Sequence, residues 1–254
     1  MTIVLLHGFF GGPEDWSSVV ARFPEATHVV APNLSVVATR QDIIDGRSFG
    51  EWLCKGLRAK TKGPLIIAGY SLGGRLAAQA ILADPELFSA ALLVSSHPGF
   101  HDGDQTARDE RKQNDGLWAD RMRKKPWPET WAAWNAQPVL KPGSRHLGLP
   151  PREVGASDGL RESRREAWAR AMEVWSLAGQ PDLRVGLGQW AKTHELSLMT
   201  GAEDSKFTEL TAAWAAQAPQ IRHRTVLGAG HRVLHEASED VAAEIMRFAG
   251  PKDL

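Results

Sequence analysis

The sequence contains, at residues 64–79, the stretch PLIIAGYSLGGRLAAQ. It begins with a short apolar run of the kind that forms a strand buried on both faces of a sheet, and it ends in residues that favour a helix. Between these parts, Gly69 and Gly73 flank Ser71 in the pattern Gly-x-Ser-x-Gly. Such a turn is sharp, and its glycines are needed because a Cβ atom there would clash with the neighbouring strand or helix. The stretch therefore predicts a nucleophilic serine exposed at the end of a strand.

Short apolar runs bounded by Gly, Pro or Asn recur along the chain, mostly separated by segments that are typical of helices. Six of these runs are candidate strands: residues 3–6, 28–31, 65–68, 90–94, 196–199 and 225–227. Ser48 begins a capping-box pattern that opens one helix, and Ser238 opens the last one. Pro85 ends the helix after Ser71 at Asp84, because helical geometry is disfavoured before proline. The alternation predicts an α/β fold with a mostly parallel sheet of about six strands flanked by helices.

The alternation stops between about residues 96 and 184, which contain no good strand candidate. This stretch has a helical pattern and is rich in tryptophan. A structureless loop of such length is improbable in a compact domain. We therefore expect an inserted all-helical cap at residues 96–185, carried by a core of residues 1–95 and 186–254.

A catalytic triad is predicted around the serine. A serine hydroxyl becomes a nucleophile or a base only when a histidine accepts its proton and a carboxylate orients that histidine. After a Gly-x-Ser-x-Gly turn, the acid and the histidine come later in the chain, each just beyond a strand. Asp204 follows the fifth candidate strand and His231 follows the sixth, so we predict Ser71, Asp204 and His231 as the catalytic residues. Glu203 is an alternative acid, although the loop spacing favours Asp204.

Two backbone N–H groups are expected to stabilise an oxyanion next to Ser71. One belongs to Leu72, the residue after the nucleophile. The other is that of Phe9 in the loop after the first strand, where Gly8 lets the backbone turn toward the pocket. In the same loop, His7 is expected to be a structural histidine that hydrogen-bonds loop backbone.

Arg75 lies one helical turn after Ser71 and is expected to point roughly the same way. In the first turn of a helix the dipole disfavours a cation, which leaves a solvated arginine as one interpretation. The other interpretation is an anion site, because a guanidinium can hold a carboxylate through two parallel hydrogen bonds. Both stay open for Arg75.

Composition and charge limit the partners of this chain. The 254 residues include 30 Lys+Arg against 30 Asp+Glu. Because the formal net charge is zero, electrostatic attraction does not favour binding to nucleic acids or to anionic membranes, and we expect neither partner. Cys54 is the single cysteine, and no spacing of Cys and His predicts a metal site. Because we find no secretory leader and no run near the roughly 20 apolar residues of a membrane helix, we expect a cytoplasmic protein.

Several further stretches carry a resemblance to a known family. They are LLHGFFGGPEDW, GYSLGGRLA, SSHPGF, WAAWNAQPVL, SLAGQPDL, TGAEDSKF and AGHRVLHE. Together they resemble the MenH family, the 2-succinyl-6-hydroxy-2,4-cyclohexadiene-1-carboxylate synthases of menaquinone biosynthesis, and they cover nearly the whole chain. The resemblance implies an α/β-hydrolase fold. Its more specific signals are the motifs HPGF, QPV, QPDL and DSKF.

The resemblance also implies a reaction. The family eliminates pyruvate from 2-succinyl-5-enolpyruvyl-6-hydroxy-3-cyclohexene-1-carboxylate without any cofactor. In that reaction Ser71 acts as a base that removes a ring proton, and the N–H groups of Phe9 and Leu72 hold the developing oxyanion. The implied partner is a small anionic carboxylate substrate, and we expect a monomer or a homodimer.

Arginines that bind this substrate are implied as well. Arg75 matches the family arginine four residues past the nucleophile, and Arg111 matches one in the first cap helix. A third family arginine falls near Arg161, with Arg164 or Arg165 as alternatives.

Trp134 in the cap and Tyr70 beside the nucleophile complete the candidate substrate-binding residues. The chain departs from the family pattern in the loop at residues 32–37, at Ser238 where the family has a proline, and at two further positions. Asn135 stands where the family has a tyrosine, and Arg232 stands where it has an asparagine after the catalytic histidine.

Two other functions stay open at this stage. A carboxylesterase or thioesterase would use the same triad through an acyl-enzyme. A ligand-sensing binding protein would keep the fold and use the cap as a sensor, although no sequence feature supports it directly.

Overall fold

The computed structural model describes residues 1–146 and 162–250. Its strands are β1 (Thr2–Leu6), β2 (His28–Val30), β3 (Leu65–Tyr70), β4 (Phe88–Val94), β5 (Glu195–Gly201) and β6 (Arg222–Val226). They form one sheet in the order β2-β1-β3-β4-β5-β6, and every neighbouring pair is parallel. Each of the six apolar runs forms one of these strands, so the predicted sheet is confirmed.

Helices connect the strands and flank the sheet. They are α1 (Ser17–Val20), α2 (Leu34–Val37), α3 (Gly46–Lys60), α4 (Leu72–Ala83), α5 (Gln105–Lys124), α6 (Trp127–Asn135), α7 (Arg165–Val174), α8 (Arg184–Trp190), α9 (Ser205–Gln217), α10 (Val233–Glu236) and α11 (Ser238–Arg247). Within the described ranges, no helix combines the length and the apolar character that crossing a bilayer requires.

Two of the three predicted helix boundaries are confirmed and one is wrong. α4 has Asp84 as its C-cap, and α11 begins at Ser238. α3 begins at Gly46, before the predicted position. Its N-cap is Asp45, whose carboxylate accepts the Ser48 N–H at 2.7 Å, while the Ser48 hydroxyl accepts the Asp45 N–H at 3.0 Å. The prediction failed because Ser48 closes the capping box at its third helical position instead of opening it.

Between β4 and β5 the described chain forms helices and turns, and residues 95–146 and 162–194 contain no strand. We call residues 96–185 the cap, following the boundaries expected from the sequence. α8 crosses the expected end of the cap and lies against the core, where the indole N–H of Trp190 donates to the backbone oxygen of Pro85 at 2.9 Å.

The sheet is packed on both faces, which explains why the inner strands β1, β3 and β4 are largely apolar, whereas the edge strand β6 is mostly polar and only partly buried. Side chains alternate along a strand, so Val4 and Leu6 of β1 join one hydrophobic cluster while Ile3 and Leu5 join the other. The first cluster extends into α3, α4 and the cap, and the second extends into α1 and α11.

The strand order reverses at the centre of the sheet. From β1 the chain passes to β2 on one side, and from β3 it passes to β4 on the other. In open α/β sheets such a reversal leaves a crevice at the carboxyl ends of the strands, where ligands bind. The loops that follow β1 and β3, which carry Phe9 and Ser71, meet at this crevice.

Candidate active site

Ser71 lies in the turn between β3 and α4 with a φ of 53°, in the left-handed region. Its backbone N–H donates to the oxygen of Val94 at 2.8 Å. A Cβ atom at Gly69 would lie 2.3 Å from the oxygen of Gly73, and one at Gly73 would lie 2.1 Å from the oxygen of Leu6. The turn is therefore strained, and its neighbours leave no room for side chains at the two glycines.

The structure brings Ser71, His231 and Asp204 together in one chain of contacts. Nδ1 of His231 lies 2.6 Å from Oδ2 of Asp204, and Nε2 lies 3.2 Å from the Ser71 hydroxyl oxygen. A carboxylate can only accept, so Nδ1 carries the proton and Nε2 is left to accept the serine O–H. Asp204 is also the N-cap of α9, where its other oxygen accepts the N–H of Phe207 at 3.4 Å. This arrangement is the one that activates a serine oxygen.

Glu203, the alternative acid, faces the cap. Its carboxylate accepts the backbone N–H of Ser144 at 2.9 Å and also the Ser144 hydroxyl. The acid in contact with the histidine is Asp204.

Phe9 and Leu72 line the same pocket as Ser71. In the described part of the chain, neither backbone N–H has an acceptor. Phe10, the residue after Phe9, has a φ of 56° and is buried. Its ring packs against those of Trp127, Trp131, Trp134 and Trp168. The cap tryptophans thus fix the loop whose N–H group is a candidate oxyanion donor.

His7 is buried beneath this loop, its ring packs 6.1 Å from that of Trp168, and both of its ring nitrogens contact backbone groups. Its Nδ1 lies 2.8 Å from the oxygen of Gly8, and its Nε2 accepts the N–H of Leu34 at 2.9 Å. Burial lowers the pKa of His7, which keeps the ring neutral. The structure places His7 as a support for the loop.

Arg75 is half-buried and lines the pocket beside Ser71. Its guanidinium donates to the backbone oxygen of Trp175 at 2.8 Å and to Oε1 of Gln180 at 3.1 Å. Both acceptors are uncharged. Desolvation and the nearby charge of Arg111 lower the pKa of Arg75 to about 9. Arg75 is therefore not a solvated side chain, and its position suits an anionic ligand.

Arg111 of α5 lines the pocket as well, and it is held by a buried carboxylate. Its Nε lies 2.8 and 2.9 Å from the two oxygens of Asp115, one turn further along the helix. Asp115 is 2% exposed and also accepts the Ser176 hydroxyl at 2.8 Å. The pocket wall therefore contains two arginines, Arg75 and Arg111, and Asp115 forms an ion pair with Arg111.

The other predicted substrate-binding residues fall in different places. Trp134 lines the pocket, with its ring 5.1 Å from that of Phe9. Tyr70 does not line it: the side chain leaves β3 on the other side, where its ring packs 5.8 Å from His231 and 5.9 Å from His235. The expectation that Tyr70 binds substrate is therefore wrong. Its ring packs against His231 instead of lining the pocket.

Arg161 lies outside the described residues. Of its two alternatives, Arg164 donates to the Ser35 hydroxyl at 3.4 Å and Arg165 donates to the Lys125 oxygen at 2.9 Å. Neither lines the pocket.

Two of the departures from the family pattern, Asn135 and Arg232, contact each other. The guanidinium of Arg232 donates to Oδ1 of Asn135, which joins the loop after His231 to the end of α6. One hydrogen bond between the cap and the core thus accounts for both departures.

Two titratable residues of the pocket have no role in the sequence analysis. His97 follows β4, and Lys206 lies in the first turn of α9, two residues after Asp204. Lys206 has no hydrogen-bond or ion-pair partner within the described ranges. Both belong to motifs that the sequence analysis singled out, HPGF and DSKF, and their positions after strands were the available signal.

A short segment of the cap, residues 141–145, lies against the histidine loop, residues 228–231, and we call it the strap. The N–H of Gly143 donates to Oε2 of Glu236 at 3.2 Å, and the N–H of Gly230 donates to the same oxygen at 2.7 Å. A Cβ atom at Gly143 would lie 2.4 Å from the backbone of the histidine loop. The cap and the loop therefore meet backbone to backbone.

A larger cavity of about 440 Å³ adjoins the pocket on the other side of Arg75 and Trp175. Its wall includes Asp45, Arg108 and Lys112 but neither Ser71 nor His231, so we place the candidate active site in the pocket that contains the triad. Among the described residues, no three His, Cys, Asp or Glu side chains are grouped to hold a metal ion.

Known proteins resemble this chain in sequence. A family model described as alpha/beta hydrolase family matches residues 3–244. The 2-succinyl-6-hydroxy-2,4-cyclohexadiene-1-carboxylate synthase of Escherichia coli O1:K1 is 34% identical over 253 residues, which cover 97% of this chain and 94% of that protein. The protein of the same name from Escherichia coli O7:K1 is 32% identical over 251 residues, with the same coverage.

Solved structures share the fold. MenH from S. aureus superposes with a TM-score of 0.85 at 20% identity, covering 98% of this chain and 92% of that one. A thermophilic esterase from Thermogutta terrifontis superposes with a TM-score of 0.77 at 19% identity, covering 98% and 89%. These likenesses confirm the predicted α/β-hydrolase fold.

Proposed function

We propose a function for this chain, which belongs to the alpha/beta hydrolase family and, within it, to the MenH family. It is an enzyme, and its reaction is the elimination of pyruvate from 2-succinyl-5-enolpyruvyl-6-hydroxy-3-cyclohexene-1-carboxylate. The observation that carries the proposal is a single pocket in which Ser71, hydrogen-bonded to His231, faces the same space as Arg75 and Arg111. A base and a pair of cations in one pocket suit a C–H acid that carries several carboxylates.

The residues divide the chemistry as follows. His231 takes the Ser71 proton, and the serine oxygen removes the ring proton next to the succinyl carbonyl. The electron pair moves onto the carbonyl oxygen, where the N–H groups of Phe9 and Leu72 stabilise the oxyanion. When the pair returns, a ring double bond forms and the C–O bond to enolpyruvate breaks. The departing enolpyruvate anion takes the proton that His231 holds and becomes pyruvate. The ring proton stays on Ser71 as its hydroxyl proton, which restores the starting state, and Asp204 stabilises the imidazolium meanwhile.

The pyruvate assay tests the proposal. Purified substrate is mixed with the protein, and pyruvate release is followed by coupling to a lactate dehydrogenase. We expect release well above the spontaneous rate, and we expect Ser71→Ala to lower kcat by about 10³-fold or more. A rate equal to the spontaneous one would rule out the proposed function.

An acyl-transfer function would use the same triad, since proton abstraction and acylation need the same three side chains. The charges of the pocket separate the two, because Arg75, Arg111 and Lys206 suit a polyanion better than a neutral ester. Incubation with a short acyl ester followed by mass spectrometry decides between them. We expect no Ser71 acyl adduct, and an accumulating adduct with ester turnover would favour the esterase.

A further inference from the structure

His97 is a polar pocket residue that the proposed chemistry leaves unused. It lies at the carboxyl end of β4 in the stretch SSHPGF and lines the pocket together with Ser71 and Arg75. Its ring packs 5.3 Å from Phe100 and 6.4 Å from Phe207. Phe207 also contacts His231, at 4.6 Å. The two histidines therefore both line the pocket and both contact the ring of Phe207.

The backbone fixes which nitrogen of His97 carries the proton. The N–H of Gly99 donates to Nδ1 at 3.1 Å, so Nδ1 presents its lone pair. Gly99 holds this turn with a φ of 108°, and a Cβ atom there would lie 2.2 Å from the oxygen of Pro181. In the neutral ring the proton is then on Nε2. Within residues 1–146 and 162–250, Nε2 has no hydrogen-bond partner.

The surroundings of His97 keep the ring uncharged. Burial, together with the cations that face it, lowers the pKa of His97 to about 3. Those cations are Arg75, Lys206, Arg184 and Arg111. A neutral imidazole in such a site donates a hydrogen bond without adding another positive charge.

His97 is also tied to Arg75 through one glutamine. Nε2 of Gln180 donates to the backbone oxygen of His97 at 3.1 Å, while Oε1 of the same amide accepts from Arg75. Gln180 is 6% exposed, which leaves it little freedom to move. The imidazole and the guanidinium are thus held in a fixed relation, and both face the pocket.

We infer that His97 is a substrate-binding residue whose Nε2–H donates a hydrogen bond to a carboxylate oxygen of the ligand, next to the one that Arg75 binds. The inference rests on the proposed function in one respect, namely that the ligand is a carboxylate. It adds a neutral donor to a pocket that otherwise recognises this group by charge.

The first test measures His97 itself, without turnover. Succinate is added as the probe to the ¹⁵N-histidine-labelled full chain, and the imidazole nitrogens are followed by NMR, with His97→Gln used to assign its signals. We expect an Nε2-protonated neutral ring between pH 6 and 9 and a shift of the Nε2 signal as succinate saturates. A charged ring, the other tautomer, or an Nε2 signal that succinate leaves in place would overturn the inference.

The second test uses substrate and a matched pair of variants. His97→Gln can place an amide N–H near the position of Nε2, whereas His97→Phe keeps a ring and has no donor. We expect His97→Phe to raise KM about tenfold or more with kcat changed less than about threefold, and His97→Gln to stay within about threefold of the parent in KM. Equal KM values for the two variants would overturn the inference.

The two tests separate the inference from the function on which it rests. If the parent protein releases no pyruvate, the proposed function fails, and the succinate titration still decides the role of His97. If His97→Phe does not fold, as judged by circular dichroism, the titration and the His97→Gln variant decide it.

Discussion

The two ends of the pocket are built in opposite ways. At the serine end each side chain has its partner inside the chain, with Asp204 on Nδ1 of His231 and the Ser71 oxygen on Nε2. At the arginine end one positive charge lacks a negative partner within the described residues. Arg111 forms an ion pair with the buried Asp115, whereas Arg75 donates only to uncharged oxygens. The contrast indicates that the reacting groups are assembled in advance. Under the proposed function, the anionic substrate would supply the negative charge that the binding end lacks.

This contrast has an energetic side. Desolvated charge is unfavourable unless it is paired, and the lowered pKa of Arg75 reflects that cost. A ligand carboxylate that reaches Arg75 supplies the missing charge. Substitutions at the serine end should therefore lower kcat, and substitutions at the arginine end should raise KM.

The largest effect is expected from Asp204→Asn. The amide cannot hold the His231 tautomer that accepts the serine proton, so kcat for pyruvate release should fall by about 10²- to 10⁴-fold. The control is Glu203→Gln, which removes the neighbouring charge from a residue that contacts the strap, and kcat should stay within about threefold of the parent. A greater loss with Glu203→Gln than with Asp204→Asn would assign the acid to Glu203.

Arg75→Lys is expected to come next. Lysine cannot reach the oxygens of Trp175 and Gln180 and also present a planar pair of donors to a carboxylate. KM should rise about 10- to 100-fold with a much smaller change in kcat. Arg123→Lys, in a surface cluster with Glu166 and Glu173, is the control that should leave KM in place. An unchanged KM for Arg75→Lys would remove Arg75 from the binding end.

Asp115→Asn gives the smallest effect, and its sign is informative. If Asp115 only opposed the anion, removing its charge would lower KM. Because it holds Arg111 in position, we expect KM to rise about three- to tenfold. Asp120→Asn on the same helix, from a pair with Lys124 at 3.0 Å, controls for the loss of one negative charge from α5. A fall in KM with Asp115→Asn alone would contradict the positioning role.

Much of the fold could be predicted because its signals are local. A strand buried on both faces must be largely apolar, so the runs that form β1, β3 and β4 were visible without any knowledge of their partners. The serine turn was equally visible, because close packing at Gly69 and Gly73 excludes side chains there. The start of α3 was harder to predict, because a serine can either open a capping box as the N-cap or close one at the third helical position. The hydrogen bonds between Ser48 and Asp45 show that Ser48 closes it.

The binding end was harder to predict because its geometry comes from contacts between distant residues. The partners of Arg75 lie about a hundred positions away in the cap, at Trp175 and Gln180. Tyr70 was expected at the ligand because it adjoins Ser71, yet neighbours at a strand end point to different sides. The bond between Asn135 and Arg232 likewise joins residues that no local pattern connects.

The strap has a consequence for chimeric enzymes. In this chain the strap is held through its backbone: the N–H groups of Gly143 and Ser144 donate to the carboxylates of Glu236 and Glu203. A transplanted cap that ends short of residues 141–145 would leave Glu203 without the Ser144 amide and Glu236 with only that of Gly230, in the loops that carry Asp204 and His231. The boundaries of an exchange should therefore be drawn outside the strap.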